Sequence, residues 1–392
     1  MIVPLFTLLL AAQQSPWITD TLHSKTLGDR MIFIALPDEY ATPHTRFPVL
    51  ICLDGNDTPM FRLWIAQAAY VADNDRGVPP VIAVGIDNGA DRLHDMTPKP
   101  VGSSVARFTR GGGADAFADF ILTEVLPRIR RKYRTLPTTV IVGHSAGGLF
   151  DLYAAATHPG AFQGTIALSP ALWYNDSLPA RDFADAIAKS TAPQRIFASS
   201  GGVDEPDIEP TTRTFYHRLD SLRGAMVAVA YQRYPDQTHS MTALGFQDGW
   251  RFVFDRVSIR HVALDTLHLA TADSAAIAGA LDASARSYAA AARELLLPEQ
   301  LPEAMLNNFG YRLLARDKNA WALRVFKQNV EWYPQSVNVY DSYGDGLIAA
   351  GDTTGAIQQF RQAVEVGRRT GAPVAAETRE KLARFSAAKS HR

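Results

Sequence analysis

The residues with the clearest catalytic pattern are Gly143-His144-Ser145-Ala146-Gly147, which match Gly-x-Ser-x-Gly. The apolar run Thr138–Val142 precedes them, and a helical pattern follows. A strand-to-helix turn of this kind is so tight that only small residues fit beside the serine, and it raises the hydroxyl next to a helix N-terminus. The pattern therefore predicts Ser145 as a nucleophile for acyl transfer. A Gly/Ser turn without chemistry is the alternative interpretation.

A serine hydroxyl is a weak nucleophile at neutral pH and needs a base, which in this kind of site follows the serine and the acid along the chain. Six histidines lie after the serine: His158, His217, His239, His261, His268 and His391. Only His239 stands on a polar loop directly after the last predicted strand. We therefore expect His239 to be the base, and a loop histidine held by other contacts is the alternative.

The acid that orients the histidine should follow the penultimate strand, where three carboxylates compete. Such an acid fixes the tautomer of the imidazole and stabilises the imidazolium. We expect Glu205 first, then Asp204, then Asp207. Two of the three must then be ordinary loop acids.

The negative oxygen formed in acyl transfer needs two fixed donors. The expected donors are the backbone N–H groups of Ala146 and of Asn56, with Gly55 permitting close approach of the backbone; an ordinary Asp-Gly turn is the alternative. Four residues are expected to line the substrate site: Gly55, His144, Arg92 and Trp173. For Arg92 the alternative is a structural loop network, and for Trp173 a place in the core or in a lid.

The composition narrows the class of function. The chain has 392 residues with 39 Lys+Arg and 40 Asp+Glu, so its net charge of -1 provides no basic field for nucleic acid or an anionic membrane. It has one cysteine, no paired-cysteine pattern and no His-Glu-x-x-His, so we expect neither a metal nor another cofactor.

Short apolar runs alternate with helical patterns between residues 30 and 260, which predicts an α/β domain over residues 17–260. Continuous apolar strands are typical of a mostly parallel, doubly wound sheet covered by helices on both faces. In such sheets function gathers at the carboxyl ends of the strands. The runs are 47–53, 81–86, 138–142, 165–168, 195–199 and 227–234.

The sequence becomes alanine-rich and helical from about residue 262, and a 34-residue repeat appears in it. Gly310, Ala322 and Phe326 recur as Gly344, Ala356 and Phe360. This period resembles the tetratricopeptide repeat. We expect a connecting helix region at 265–300, two repeats at 301–370 and a helical tail at 371–392. The repeats either stabilise the preceding domain or form a surface for a protein partner or a homo-oligomer.

Residues 1–12 form a short apolar run that ends in Ala11-Ala12 and resembles a secretory signal peptide, although no basic residue precedes it. This predicts a periplasmic or secreted protein, with the cytoplasm as the alternative. No other run approaches about 18 apolar residues, so no membrane span is expected.

From about Leu22 to Phe254 the chain resembles the putative-esterase family of α/β-hydrolases, which includes esterase D-like enzymes, enterobactin (ferric siderophore) esterases, feruloyl esterases and mycolyltransferases. The resemblance is carried by residues 36–40, 47–55, 84–88, 92–98, 117–127, 143–149 and 169–173, and by the loop before Gly249.

The resemblance implies Ser145 as nucleophile, His239 as base, and Ala146 and Asn56 as donors to the oxyanion, whereas the acid varies between members. It implies an esterase that works through an acyl-enzyme on a small-molecule siderophore, aryl or short-chain ester, with acyl transfer as a variant. A non-catalytic or dual-role interaction protein that binds a partner through its repeats is the alternative.

Overall fold

The computed structural model describes residues 17–259 and 262–390, and its centre is an eight-stranded sheet in the order β1-β2-β4-β3-β5-β6-β7-β8. The strands are β1 (Ile18–Ser24), β2 (Gly28–Ala35), β3 (Phe47–Cys52), β4 (Ile82–Ile86), β5 (Thr135–His144), β6 (Gly164–Leu168), β7 (Gln194–Gly201) and β8 (Val227–Tyr234). Strands β3 to β8 are mutually parallel, while β2 is antiparallel to both β1 and β4. The expected mostly parallel α/β fold is therefore confirmed.

Helices cover both faces of the sheet and continue beyond it. They are α1 (Thr58–Asn74), α2 (Arg92–Met96), α3 (Ala114–Asp119), which continues through a π-helical turn (Phe120–Val125) into α4 (Leu126–Lys132), α5 (Ala146–Thr157), α6 (Pro179–Ala188), α7 (Ile208–Leu222), α8 (Thr242–Phe254), α9 (Ala263–Thr266), α10 (Ser274–Glu294), α11 (Glu303–Leu314), α12 (Asn319–Trp332), α13 (Val337–Ala349), α14 (Thr353–Thr370) and α15 (Ala376–Ser390). We call residues 17–259 the sheet domain and residues 262–390 the helical segment.

The central strands are apolar along their whole length because neither face meets water. Every residue of β3 and of β6 is buried. One core fills the face under α5, α6 and α7, and a second fills the face under α1 and α8. Burial on both faces explains why these strands show no alternation of apolar and polar residues.

The sequence analysis did not predict β1 and β2, the two strands at one end of the sheet. Strand β1 reads Ile-Thr-Asp-Thr-Leu-His-Ser, and most of its side chains are exposed or half-buried. An edge strand with solvent beside it does not need a continuous apolar run. The apolar pattern that identified the central strands was therefore absent from β1.

The helical segment contains two successive helical hairpins, α11–α12 and α13–α14, with the same contact in each. A Cβ atom on Gly310 would lie 2.4 Å from the Phe326 ring, and one on Gly344 would lie 2.4 Å from the Phe360 ring. Glycine at this position lets the two helices of a hairpin approach until the phenylalanine fills the space between them. The 34-residue repeat in the sequence thus corresponds to one repeated packing contact.

The first hairpin belongs to the same core as the sheet. The cluster that contains Val140 of β5 and Trp250 of α8 continues through Tyr288 of α10 to Phe326 of α12. A direct link reinforces this packing, because the Thr138 hydroxyl donates to the carbonyl of Leu295 at 2.7 Å. The helical segment is therefore anchored to the sheet domain near the amino end of β5.

Three expectations from the sequence concern an N-terminal apolar segment, membrane-spanning helices and metal sites. The apolar segment at residues 1–12 lies outside the described residues. Across residues 17–259 and 262–390, no helix has the length and apolar character needed to span a bilayer. In that same part of the chain, no group of three or more His, Cys, Asp or Glu side chains is placed to hold a metal ion.

Because the first hairpin shares its core with the sheet, substitutions of two equivalent phenylalanines should have different effects on stability. Both phenylalanines are fully buried. Phe326 lies in the core that includes the sheet, whereas Phe360 lies in a small separate cluster of the second hairpin. Phe326→Ala should lower the free energy of unfolding of the sheet domain by about 3–5 kcal/mol. Phe360→Ala should loosen only the second hairpin.

Urea unfolding followed by the fluorescence of the buried Trp64 and Trp250 measures the sheet domain, and hydrogen exchange measures the second hairpin. Equal shifts of the fluorescence transition in both variants would contradict a core that joins the sheet to the first hairpin alone.

Candidate active site

Ser145 occupies the sharp turn between β5 and α5. Its backbone angles, φ of 60° and ψ of −116°, define a conformation that residues with a side chain rarely adopt. A Cβ atom on Gly143 would lie 2.5 Å from the backbone of Gly147, and one on Gly148 would lie 3.2 Å from the carbonyl oxygen of Leu168. The glycines around the serine are thus required by the closeness of backbone on both sides of the turn.

Neighbouring backbone holds the strained turn in place. The Ser145 N–H donates to the carbonyl of Leu168 at 2.9 Å, at the end of β6. The Ser145 carbonyl accepts from the N–H of Ala171 at 3.0 Å, on the loop that follows β6. The hydroxyl therefore projects from a backbone that β6 and its loop fix in advance, at the carboxyl edge of the sheet.

His239 is oriented by Asp204. The imidazole lies on the loop after β8, and its Nδ1 donates to Asp204 Oδ1 at 2.7 Å. The carboxylate is almost completely buried, with 1% of its side chain exposed, whereas 26% of the His239 side chain is exposed. With Nδ1 engaged, Nε2 is the ring nitrogen left to exchange a proton with a serine or a substrate. No hydrogen bond joins Ser145 Oγ to His239 among the described residues.

Four donors converge on the Asp204 carboxylate. Besides His239, these are the Ser169 hydroxyl at 2.6 Å, the Gly201 N–H at 3.1 Å and the Glu205 N–H at 2.8 Å. Burial alone would raise the pKa of Asp204, but these hydrogen bonds together lower it below its ordinary value. Asp204 is therefore held as an anion beside the imidazole.

The first choice of acid does not fit the geometry. Glu205 is exposed, and only its backbone N–H takes part in the site, as a donor to Asp204. Asp207 is also exposed and stands just before α7. The one-residue difference arises because the turn after β7 directs the Asp204 side chain inward, which the sequence pattern could not distinguish.

His144 contacts the histidine loop. Its Nε2 donates to the backbone carbonyl of His239 at 2.7 Å, and the two rings lie 4.4 Å apart between centroids. Burial, together with the nearby His239, lowers the pKa of His144 to about 4, so the ring is neutral near pH 7. This geometry fits a positioning role, in which His144 joins the Ser145 turn to the loop that carries His239, and the expected contact of His144 with substrate stays a prediction.

Arg92 is also engaged by the protein itself. Its guanidinium donates to Asp54 Oδ1 at 2.5 Å, to Asp54 Oδ2 at 2.8 Å and to the carbonyl of His144 at 3.0 Å. The Asp54 carboxylate is buried against the first turn of α5, 3.4 Å from where a Cβ on Gly147 would lie. Arg92 thus joins the loop after β3 to the turn that carries Ser145, and a contact of Arg92 with substrate stays a prediction.

Gly55 has a structural reason to be glycine. A Cβ atom there would lie 2.5 Å from the backbone of Gly85 in β4, and the Gly55 N–H donates to the carbonyl of Ile86 at 2.8 Å. The close approach that we expected at this residue is therefore made to β4.

The two expected oxyanion donors lie on different loops, Ala146 after β5 and Asn56 after β3. Ala146 is the first residue of α5, where a backbone N–H has no partner within the helix. Asn56 is exposed, and its side-chain oxygen accepts from the N–H of Asn88 at 3.3 Å. Among the described residues neither N–H donates to another group, which leaves both free for a ligand.

Trp173 lies on the loop that contacts Ser145. Its ring is partly buried, 6.0 Å from the Phe108 ring, and the Tyr174 ring lies 4.4 Å from the same phenylalanine. Aromatic side chains thus gather on the loops that follow β4 and β6. A contact of Trp173 with substrate stays a prediction.

The sequence analysis did not identify Ser169, whose hydroxyl donates to Asp204, or the buried Asp151 as residues of this site. Ser169 follows β6, and its place at a strand's carboxyl end was the signal that could have identified it. Asp151 lies fully buried in α5 beneath the turn, next to Gly143. Burial, together with the nearby Asp54 carboxylate, raises the pKa of Asp151 well above its ordinary value. No pattern in the sequence indicated that the Asp151 side chain lies beneath this turn.

The mostly parallel sheet, with a serine on a strand-to-helix turn at its carboxyl edge, defines an α/β-hydrolase fold. A sequence model of the family described as Putative esterase matches residues 24–259, which is more than half of the chain. The chain belongs to this family of carboxylic ester hydrolases, and the resemblance seen in the sequence is confirmed.

Two relatives and one solved structure extend the comparison. The chain is 27% identical over 227 residues to the ferri-bacillibactin esterase BesA of Bacillus subtilis, a match that covers 53% of this chain and 78% of that protein. It is 31% identical over 136 residues to the siderophore triacetylfusarinine C esterase of Aspergillus fumigatus, covering 33% of this chain but only 45% of that protein. An IroE-like serine hydrolase from Shewanella oneidensis has the same fold, with a TM-score of 0.63, 23% identity and coverage of 80% of this chain and 98% of that one.

The geometry predicts that Asp204 and Glu205 differ sharply in importance. Asp204→Asn should lower kcat/KM for an ester by about 10³-fold or more, because an amide favours the wrong imidazole tautomer. Glu205→Gln, the adjacent control, should change it less than about threefold, because its exposed carboxylate has no hydrogen bond among the described residues. Steady-state kinetics on both variants checks this, and a comparable loss in Glu205→Gln would overturn the assignment.

His144 should make the protein sensitive to acid. Because its pKa is lower in the folded than in the unfolded protein, protonation favours unfolding, and stability falls as the pH drops from 6.5 towards 4. A glutamine can still donate to the His239 carbonyl but does not titrate. His144→Gln should therefore remove about 2–3 kcal/mol of this loss.

Urea unfolding at a series of pH values measures the effect. An identical fall in stability in the variant and in the unmodified protein would show that His144 does not titrate in this way.

Proposed function

We propose that the protein hydrolyses carboxylic esters through an acyl-enzyme on Ser145, with His239 as general base and Asp204 as the orienting acid. The observation that carries this proposal is the buried Asp204 carboxylate on His239 Nδ1, at the same edge of the sheet as a serine on a strained turn. A structural loop histidine would have no need of an anion held by four donors.

In the first half of the reaction the Ser145 oxygen attacks the ester carbonyl carbon, and His239 Nε2 accepts the hydroxyl proton. The carbonyl oxygen becomes an oxyanion, which the free N–H groups of Ala146 and Asn56 would stabilise. His239 then gives its proton to the leaving alcohol, and the acyl group stays on Ser145.

In the second half, His239 takes a proton from water, and the resulting hydroxide attacks the acyl carbonyl carbon. Collapse of the second tetrahedral intermediate releases the acid and returns the proton to Ser145. Asp204 remains ionised throughout, and its charge stabilises the imidazolium in both halves. An alcohol in place of water would give acyl transfer by the same steps.

For the substrate we propose an ester of the siderophore class. The names of the two relatives, a ferri-bacillibactin esterase and a triacetylfusarinine C esterase, support this class. The aromatic rings of Phe108, Trp173 and Tyr174 on the loops beside Ser145 suit substrates with planar or apolar groups.

The alternative of an interaction protein has less support. The first helical hairpin is buried in the core that it shares with the sheet, which favours a stabilising role for that hairpin. The second hairpin packs in smaller separate clusters and remains the candidate surface for a partner.

The proposal is tested by hydrolysis of triacetylfusarinine C, enterobactin and p-nitrophenyl butyrate, with products separated by chromatography. We expect at least one siderophore to be cleaved with a higher kcat/KM than the p-nitrophenyl ester. Ser145→Ala should lower each rate by about 10⁴-fold or more. Ser221→Ala, which alters an exposed serine on α7, is the matched control and should leave the rates unchanged.

Cleavage of only the p-nitrophenyl ester would contradict the siderophore class but keep the esterase. Rates that survive in Ser145→Ala would contradict the nucleophile.

A further inference from the structure

A cavity of about 520 Å³ lies between the sheet domain and the helical segment. Phe47 at the start of β3 and Leu136 at the start of β5 form its floor, and Leu297 of the helical segment lies on the other side. It therefore opens at the amino ends of the strands, whereas Ser145 lies at their carboxyl ends. Its volume falls within the range of about 300–1,000 Å³ typical of small-molecule sites.

Part of the cavity wall is apolar and stiff. Besides the floor residues, four prolines line the cavity, two from each side: Pro79, Pro80, Pro298 and Pro302. Proline has a fixed φ and no backbone N–H, so this surface offers apolar contact that loses little conformational freedom when a ligand binds.

One hydroxyl in the wall has no hydrogen-bond partner among the described residues. Tyr288 of α10 is only 5% exposed and lines the cavity, yet within the described residues its hydroxyl makes no hydrogen bond. Burial raises the pKa of Tyr288 above its ordinary value, so the hydroxyl keeps its proton and can donate. A ligand that supplies an acceptor would give this hydroxyl a hydrogen bond.

A cation stands in the same wall. Arg76 is half-buried, and its guanidinium has no ion pair or hydrogen bond to any described residue. Its backbone is fixed, because its carbonyl accepts from the Ile259 N–H at 2.6 Å, and a Cβ on Gly77 would lie 2.1 Å from the Val257 carbonyl oxygen. Arg46, an exposed second cation of the wall, makes one hydrogen bond, at 3.3 Å to the Thr135 carbonyl.

The acids of the wall are less available. The Glu303 carboxylate accepts from the Ser336 hydroxyl at 2.9 Å and from Asn338 Nδ2 at 3.0 Å. Glu39 and Asp73 are exposed to solvent. The least exposed charge without a partner in this cavity is thus the Arg76 cation, which favours an anionic ligand.

We propose that this cavity is a binding site for a small monocarboxylate with an apolar body, whose carboxylate pairs with Arg76 and accepts from the Tyr288 hydroxyl. The apolar body lies against the proline walls. Since Arg76 belongs to the sheet domain and Tyr288 to the helical segment, the ligand bridges the two and stabilises their contact. The site is separate from Ser145 and does not depend on the proposed esterase chemistry.

Isothermal titration calorimetry of the full chain with decanoate tests the proposal. We expect one molecule to bind per chain, with a rise in Tm on addition of the ligand. Decan-1-ol and decyltrimethylammonium carry the same apolar body without the carboxylate. Each should bind at least about tenfold more weakly.

Three substitutions locate the site. Arg76→Gln and Tyr288→Phe should each raise the Kd for decanoate by about tenfold. Neither should lower the Tm of the free protein, since neither side chain has a polar partner to lose. Ala304→Trp, which changes an exposed alanine of the wall, should fill the cavity and abolish binding. Arg131→Gln removes an exposed arginine outside the cavity and is the control that should leave binding unchanged.

Absence of decanoate binding would overturn the proposal, as would equal affinity for the alcohol, which would indicate an apolar cavity without carboxylate recognition. Binding that persists in Arg76→Gln and Ala304→Trp would place the carboxylate elsewhere, such as near Ser145, and would overturn it equally. Because the free Tm of each variant is measured beside its Kd, a folding defect is distinguished from loss of the site.

Discussion

The Asp204 carboxylate is a charge with almost no access to water, and it is stable only because four donors surround it. An unpaired buried charge would cost several kcal/mol, so these donors are a condition for the fold as well as for the site. They come from the ends of β6, β7 and β8, which must finish at the same level for the hydrogen bonds to form. Ser145 depends on the same arrangement, since its strained backbone is bonded to the end of β6. One constraint, the common carboxyl edge of parallel strands, thus positions Ser145, His239 and Asp204.

The carboxyl ends and the amino ends of the strands have different roles in the structure. At the carboxyl edge lie the strained backbone of Ser145, the N–H groups of Ala146 and Asn56, which have no partner among the described residues, and the buried Asp204 anion. At the amino edge the sheet joins the helical segment through a continuous apolar core and the Thr138 hydrogen bond. The strands that run between these edges are rigid because both faces are buried.

The sequence predicted those features that depend on local pattern. The turn at Ser145 was recognisable because steric crowding demands glycine and alanine around the serine, and His239 because a polar loop follows β8. For the acid, the expected order placed Glu205 before Asp204, whereas the geometry favours Asp204, because the direction of a loop side chain depends on contacts from β6 that are distant in the sequence. For the same reason His144 and Arg92 were expected at the substrate, whereas their partners are the His239 carbonyl and Asp54. Strand β1 was missed because an edge strand can be polar.

Direct detection of the covalent intermediate tests the central claim, that Ser145 carries the acyl group during ester hydrolysis. The protein is mixed with p-nitrophenyl acetate, quenched in acid within milliseconds to seconds, digested and analysed by mass spectrometry. The account predicts one acetyl group on the peptide that contains Ser145, appearing with the first turnover and decaying as substrate is consumed. Product formed without an acylated protein, or an acetyl group on a different residue that turns over at the catalytic rate, would contradict it.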